Sequence, residues 1–197
     1  CLLPVFTEPS FRTHVEILLG WVMCLSKRTE YGVFQTIQAD APVSRQERHP
    51  FDRFYNFFSR SSWMVPDLAR QVAVAVVVRL NPSGLLYLVV DDTLLHKRGK
   101  KVYGLGWFRD AVASTAKRVA TASGNHWVVV GLAICIPKTD KIYCLPIHAK
   151  LHLAGKNQKS EATLAREMLG DILEWFPDRK LVFLGDGAYS TKNLLGD

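Results

Sequence analysis

The chain has 197 residues, 48% of them hydrophobic, enough for one full domain with a core and a smaller domain beside it. Its formal net charge of +7 favours polyanionic partners over basic ones. The cysteines, Cys1, Cys24, Cys135 and Cys144, form no Cys-x-x-Cys pair, which argues against a zinc site or a disulfide framework and for a reducing compartment. Cys135 and Cys144 are expected to be buried free thiols rather than a pair across a hairpin. The most apolar stretches, Val72–Val78 and Leu85–Val90, fall far short of the roughly 20 residues a membrane span needs, and Arg79 separates them. No signal peptide is visible, so the expectation is a soluble, cytoplasmic chain with no membrane partner. It opens on Cys1 rather than Met, and both ends read as cuts in a longer protein.

A turn cluster, Asn81-Pro82-Ser83-Gly84, divides the chain into a helical region, residues 1–80, and a strand-rich region, residues 84–197. In the first region Ser10 can cap a helix with Phe11, Val15, Leu18, Leu19, Val22 and Leu25 on one face. A polar stretch from Ser26 to Pro50 follows, with an apolar island at Val33–Ile37, and then the aromatic run from Phe51 to Phe58. Asp67–Leu80 reads as a buried helix, although its valines would also suit a strand. Short helices of this kind suit either a DNA-binding helix-turn-helix module or a bundle that only packs on the next domain.

Leu85–Val90 is a continuous apolar run, the mark of a strand covered on both faces, and it ends in Asp91-Asp92-Thr93. A long basic, glycine-containing segment, Leu94–Asn125, leads to His126–Pro137 and Ile142–Leu153, a pair whose short connection makes an antiparallel hairpin. Ser160 caps an amphipathic helix carrying Leu164, Ala165, Met168, Leu169, Ile172, Leu173 and Phe176, and Pro177 closes it. A second buried strand, Leu181–Gly185, ends in Asp186-Gly187-Ala188-Tyr189.

The chemistry lies in the acids that end these two strands. Ionised carboxylates at the edge of a core are costly unless paired or bound to metal. If the helix between the strands is a right-handed crossover, the strands run parallel as neighbours, and both acid clusters emerge at one edge of the sheet. Carboxylates converging there repel one another unless a cation neutralises them, and oxygen-only ligands suit Mg²⁺ or Mn²⁺. Taken singly, each acid is as readily a turn residue or a helix cap. His148 and His152 could approach the site, although lone histidines on strands are more often structural.

Asp91-Asp92-Thr93 after a buried strand resembles the first Asp-x-Thr motif of insertion-sequence transposases of the DDE superfamily. Leu184-Gly185-Asp186-Gly187-Ala188-Tyr189 is similar to their second motif, and the basic run Lys97-Arg98-Gly99-Lys100-Lys101 and the segment His49–Trp63 share the likeness. The resemblance covers Phe51 to Tyr189. It implies an α/β, ribonuclease H-like mixed sheet: three antiparallel strands, a helix and a parallel strand, preceded by a small helical region. It also implies three acids, Asp, Asp and Glu, holding two Mg²⁺ or Mn²⁺ ions. On that mapping Asp91 is the first acid, Asp92 the runner-up or a supporting residue, and Asp186 the second. The third lies beyond the chain, so the fragment alone is expected to be inactive; Glu161, Glu167 and Glu174 sit on the crossover helix and are not carried over.

The implied activity is metal-dependent cleavage and transfer of DNA strands, with double-stranded element ends and target DNA as partners and a homodimer on DNA. The implied setting is a bacterial nucleoid. Lys97, Arg98, Lys100, Lys101, Arg109, Lys117 and Arg118 stand against Asp110 alone between Leu94 and His126, which suits salt-sensitive phosphate contacts. Trp107 and Phe108 are candidates to stack on an unpaired base, or else core anchors. Two alternatives stand beside this reading. A haloacid dehalogenase-like phosphatase shares Gly185-Asp186-Gly187 but lacks the spaced acids of that family's first motif. A transposase remnant would bind DNA without cutting it.

Overall fold

A computed structural model describes residues 5–25, 29–40, 51–136, 139, 141–155 and 158–189. Cys1 lies outside them, as do His49 and part of the loop 137–141. The chain forms two compact units, Cys1–Gln71 and Val72–Asp197.

The first unit holds α1 (Glu8–Met23), α2 (Glu30–Asp40), α3 (Asp52–Ser59) and the start of α4 (Val65–Leu80). Helix α1 begins before the expected cap, with Thr7 at the N-cap and Pro9 in its first turn. Its buried face is not the expected one. Thr13, Ile17 and Gly20 turn inward with Cys24 just beyond, while Leu18, Leu19, Val22 and Leu25 are exposed. Gly20 sets this rotation: a Cβ there would meet Ile37 and Val33 at 2.7–2.8 Å, so α2 packs against bare backbone. The apolar island is thus part of a helix rather than of a polar linker. Phe54 and Phe57 complete the core of this unit.

The second unit is built on a five-stranded sheet among the described residues: β1 (Leu86–His96), β2 (Gly106–Arg109), β3 (Thr121–Cys135), β4 (Ile142–His152) and β5 (Leu181–Leu184). Strand β3 is central, antiparallel to β1 on one edge and, on the other, to β2 and then β4. Strand β5 lies parallel to β1, with Leu86 opposite Leu181 and Val89 opposite Leu184, as expected for strands joined through a crossover helix. That helix, α5 (Glu161–Trp175), is N-capped by Ser160, whose Oγ accepts the Thr163 amide. The sheet is mixed and ribonuclease H-like, with β2, which falls between β1 and β3 in the chain, as a short addition on the edge of β3 away from β1.

Helix α5 covers one face of the sheet. Leu86, Leu88 and Val90 from β1, Val128, Val130 and Leu132 from β3, and Ala165, Met168 and Ile172 from α5 form one core with Ala73 and Val77 of α4. Burying each of the Val, Leu, Ile and Met side chains among them stabilises by about 1.5–3 kcal/mol relative to exposure. Strand β4 joins through a bulge: Val130 pairs with His148 and Gly131 with Pro146, so Ile147 is the extra residue. Ile147 and His148 are both buried in consequence.

Three sequence expectations need correction. Strand β1 does not stop at the acids but runs on to His96, because its ladder with β3 continues to the His96–Gly124 pair. Strand β5 is half-buried rather than covered on both faces, with Leu184 exposed. Cys135 and Cys144 are exposed rather than buried, and the register sets them against Ile142 and Ala133 rather than against each other.

Candidate metal and nucleic-acid site

Alternation along β1 sends Asp91 and Asp92 to opposite faces. Asp92 continues the series Leu86, Leu88, Val90 on the face that α5 covers; Asp91 follows Tyr87 and Val89 on the other. Its Oδ1 accepts the Asp92 amide at 2.9 Å. On the neighbouring strand, the last residue paired with β1 is Leu184, opposite Val89. Gly185 continues that register, since a Cβ built on it would meet Val90 Cγ1 at 3.0 Å. The next residues along the two strand directions are Asp91 and Asp186.

Asp186 then turns the chain. Its Oδ1 accepts the Ala188 amide at 2.9 Å and its carbonyl accepts the Tyr189 amide at 3.1 Å, winding the 3₁₀ turn Gly187–Tyr189. Tyr189 folds back over Gly185, where any side chain would be squeezed between Tyr189 and Val90. Its ring is buried, and its hydroxyl makes a long hydrogen bond of 3.4 Å to Asp92 Oδ1. Burial foremost, then the charges of Asp92, Glu161, Asp91 and Asp186, push the Tyr189 phenol well above its ordinary range. The proton therefore stays on the phenol oxygen as a donor.

The other Asp92 oxygen, Oδ2, lies 2.7 Å from His126 Nε2. His126 stands on β3, two pairs beyond the Asp92–Val128 pair and therefore on the same face, so the contact is a diagonal cross-strand one. Directly opposite His126 on β4 is His152, with the two Nδ1 atoms 3.1 Å apart. Glu161, the first residue of α5, brings Oε1 within 3.2 Å of His152 Nδ1 and 3.7 Å of His126 Nδ1. Phe108 of β2 closes the other side, its ring 4.9 Å from that of His126 and 5.6 Å from that of His152. Phe108 is thus a core anchor, whereas Trp107, one residue back on the alternation, is 73% exposed.

His148, on the same strand as His152, goes elsewhere. Its Nδ1 accepts the Ala149 amide, so Nε2 carries the proton that Asp171 accepts at 2.9 Å. Burial lowers its pKa despite the Asp171 charge, so the contact is a hydrogen bond from a neutral ring rather than an ion pair.

The basic segment is organised by its one acid. Asp110 is buried; its Oδ1 accepts the Ala113 amide and its Oδ2 meets His96 Nε2 at 2.9 Å, and these contacts, the backbone one foremost, hold its pKa down. Ser114 and Ala120 close the loop above it, and a tight Thr115–Arg118 bridge puts Lys117 in the turn. Lys97, Arg98, Lys100, Lys101, Arg109, Lys117 and Arg118 are all exposed. Among the described residues none of them forms an ion pair. A cleft of ≈ 450 Å³ is lined by His96, Lys97, Arg98, Trp107, Ala122 and Ser123.

Along its whole length, residues 1–197, the chain matches the family model described as DDE superfamily endonuclease. The chain belongs to that family. No curated protein and no solved structure gives a match to set beside it. Membership makes it a nuclease-type protein of the transposase and endonuclease group, which acts on DNA and uses divalent metal ions. It also leaves the phosphatase alternative without support, as does the antiparallel neighbour of β1, since a doubly wound phosphatase sheet has parallel strands there. No helix among the described residues is long and apolar enough to cross a membrane.

The donors present fit the family's ions. Asp91, Asp92 and Asp186 offer only oxygen, the ligand type of Mg²⁺ and Mn²⁺. Among the described residues no lysine or arginine forms an ion pair with these acids or with Glu161; their side-chain partners are His126, His152 and the Tyr189 hydroxyl. His126 and Glu161 escaped the sequence reading. Glu161 stands on the crossover helix, and its place beside the histidines depends on how that helix starts over the sheet, which no local pattern encodes.

Proposed function

We propose that the chain carries the first two acids of a DNA transposase that cuts and joins strands for an insertion sequence. Asp91 and Asp186 hold the metal, while Asp92, on the other face of β1, takes a supporting place with His126 and Tyr189. The observation behind this reading is the parallel β1–β5 pairing, whose register, extended by Gly185 against Val90, leads to Asp91 and Asp186 at corresponding positions. Mg²⁺ or Mn²⁺, as a pair of ions, would supply activation of a water or of a DNA 3′-hydroxyl and stabilisation of the leaving oxygen.

The chain's own residues prepare that chemistry. Asp91 is exposed and keeps Oδ2 for a cation while Oδ1 takes the Asp92 amide. Asp186 is fixed by the turn it caps. Asp92 is oriented through both oxygens, by His126 and by the Tyr189 hydroxyl. Lys97, Arg98, Lys100, Lys101, Arg109, Lys117 and Arg118 contact phosphates of double-stranded element ends and target, and Trp107 offers a face to an unpaired base. Residues 1–80 serve as a further DNA-binding region. A homodimer on DNA and a nucleoid-associated, cytoplasmic setting in a bacterium complete the reading. The third acid of the family pattern is assigned to no residue of this chain, so these residues alone are expected not to cut DNA.

The test is nicking of labelled element-end DNA by the full-length protein with Mg²⁺ or Mn²⁺. Asp186→Ala and Asp91→Ala are expected to lose cleavage by much more than the roughly 10–100-fold that loss of a supporting residue costs, with circular dichroism unchanged. DNA binding without metal-dependent nicking by the unaltered protein would contradict the proposal and leave a binding-only remnant.

A further inference from the structure

We propose that His126, His152 and Glu161 form a separate site for a transition-metal ion of the Zn²⁺ class, tied to the acid strand through Asp92. The nitrogen and oxygen atoms concerned, His126 Nδ1, His152 Nδ1 and Glu161 Oε1, form a triangle with sides of 3.1, 3.2 and 3.7 Å. A tetrahedral ion with bonds of about 2.0–2.1 Å spaces its ligands about 3.3 Å apart, so the triangle brackets the spacing such an ion demands.

The surroundings point the same way. His126 Nε2 lies 2.7 Å from Asp92 Oδ2, the carboxylate–histidine arrangement that puts the ring proton on Nε2 and leaves the Nδ1 lone pair for a metal. Phe108 packs against both imidazoles and fixes their planes. His126 is buried, whereas the Glu161 side chain is 39% exposed and gives an ion its way in. Two imidazoles with one carboxylate select Zn²⁺, Co²⁺ or Ni²⁺ over Mg²⁺, whose preferred ligands are oxygens. The donor set therefore differs from that of Asp91 and Asp186, and the two kinds of site need not compete for one ion. Three protein ligands leave a fourth position for water or an anionic oxygen. An ion here locks His126 and, through it, one oxygen of Asp92.

Without an ion the same atoms can share a proton, His152 Nδ1–H donating to His126 or Glu161. This hydrogen-bonded chain is the competing account, and metal binding separates the two. The full-length protein, stripped with a chelator, is titrated with Co²⁺ and followed by its visible absorption. The expected result is an intense tetrahedral band at about one equivalent, displaced by Zn²⁺ and not by excess Mg²⁺. His152→Ala and Glu161→Gln should weaken binding by more than roughly 100-fold, while Asp186→Ala keeps the band. His152→Gln, closer in size, guards against loss by misfolding, with circular dichroism as the control. No band in the unaltered protein, or an equal band in the His152 and Glu161 variants, overturns the proposal. Nicking is read separately, so a silent Co²⁺ titration beside active nicking sinks this site alone, and the converse sinks only the nuclease reading.

Discussion

Helix α5 and strand β4 carry two histidine–carboxylate networks, and they differ in what balances the charge. In the inner one His148 donates to Asp171, and Lys150 reaches both Asp171 and Glu167, at 3.3 and 3.2 Å. Lys159 adds a second cation to Glu167. Each acid there has a lysine beside it, and the His148 ring packs on Trp175. In the outer network, at the N-terminal end of the helix, the side-chain partners of Glu161 and Asp92 among the described residues are histidines and the Tyr189 hydroxyl, and burial first, then these acids with Asp91 and Asp186, raise the Tyr189 phenol. The first network carries its own lysines; the second carries only histidines, and it is there that the metal site is proposed. A histidine on a strand is therefore not informative until its acids are checked for a resident lysine.

The contrast can be broken in order of size. The largest effect is expected at the outer network: His152→Ala should abolish Co²⁺ binding while leaving the thermal midpoint nearly unchanged, because the ring is partly exposed and no core side chain is lost. If that variant unfolds instead, the outer network is structural like the inner one. Next, Asp171→Ala strands the buried Nε2–H of His148, whose side chain is 1% exposed, and should cost about 1–3 kcal/mol by denaturant unfolding.

A pH effect follows from the same pair. Burial lowers the folded pKa of His148 below its ordinary value near 6.5, so below that pH the unfolded chain binds more protons than the folded one. Asp171 opposes its own burial through hydrogen bonds from His148 and Lys150, and its pKa is lowered too, which acts in the same direction at more acid pH. Stability contributed by His148 is thus fully present above about pH 6.5 and is lost as the pH falls toward the folded value. Thermal midpoints measured from pH 7.5 down to 5 should decline, and His148→Gln should flatten the upper part of that decline. Smallest of all, neutralising Lys97 or Arg98 should weaken DNA binding evenly across sequences and reduce the salt slope by about one, with no change in stability.

Much of the sheet was legible because its signals are local. The apolar runs at Leu86–Val90 and Leu181–Leu184, the short loop after β3 and the Ser160 cap each name their element without help from elsewhere. What was not legible depends on partners. Strand β1 runs past its acids because β3 is long enough to pair with it, not because of its own side chains. Strand β2 is four residues with one buried side chain, too short for a pattern. The face of α1 turns on the space that Gly20 leaves for Ile37. Asp91 and Asp186 stand out as candidates because each follows an apolar run, and the parallel pairing of their strands is the rule for strands joined by a helix. His126 could be set beside Asp92 and His152 only by counting register across β1, β3 and β4, and Glu161 only by knowing where α5 starts over the sheet, although a histidine in series with Val128 and Val130 was a signal of a polar group on a buried face.

The proposal that Asp91 and Asp186 share one ion is most directly tested by a double-mutant cycle on Mn²⁺ affinity, followed by the electron-spin-resonance signal of the free ion, in the unaltered protein, Asp91→Ala, Asp186→Ala and the double variant. Two ligands of one ion predict that each single change weakens binding strongly and that the second adds little to the first. Additive losses, or a variant that binds Mn²⁺ as the unaltered protein does, would contradict the account.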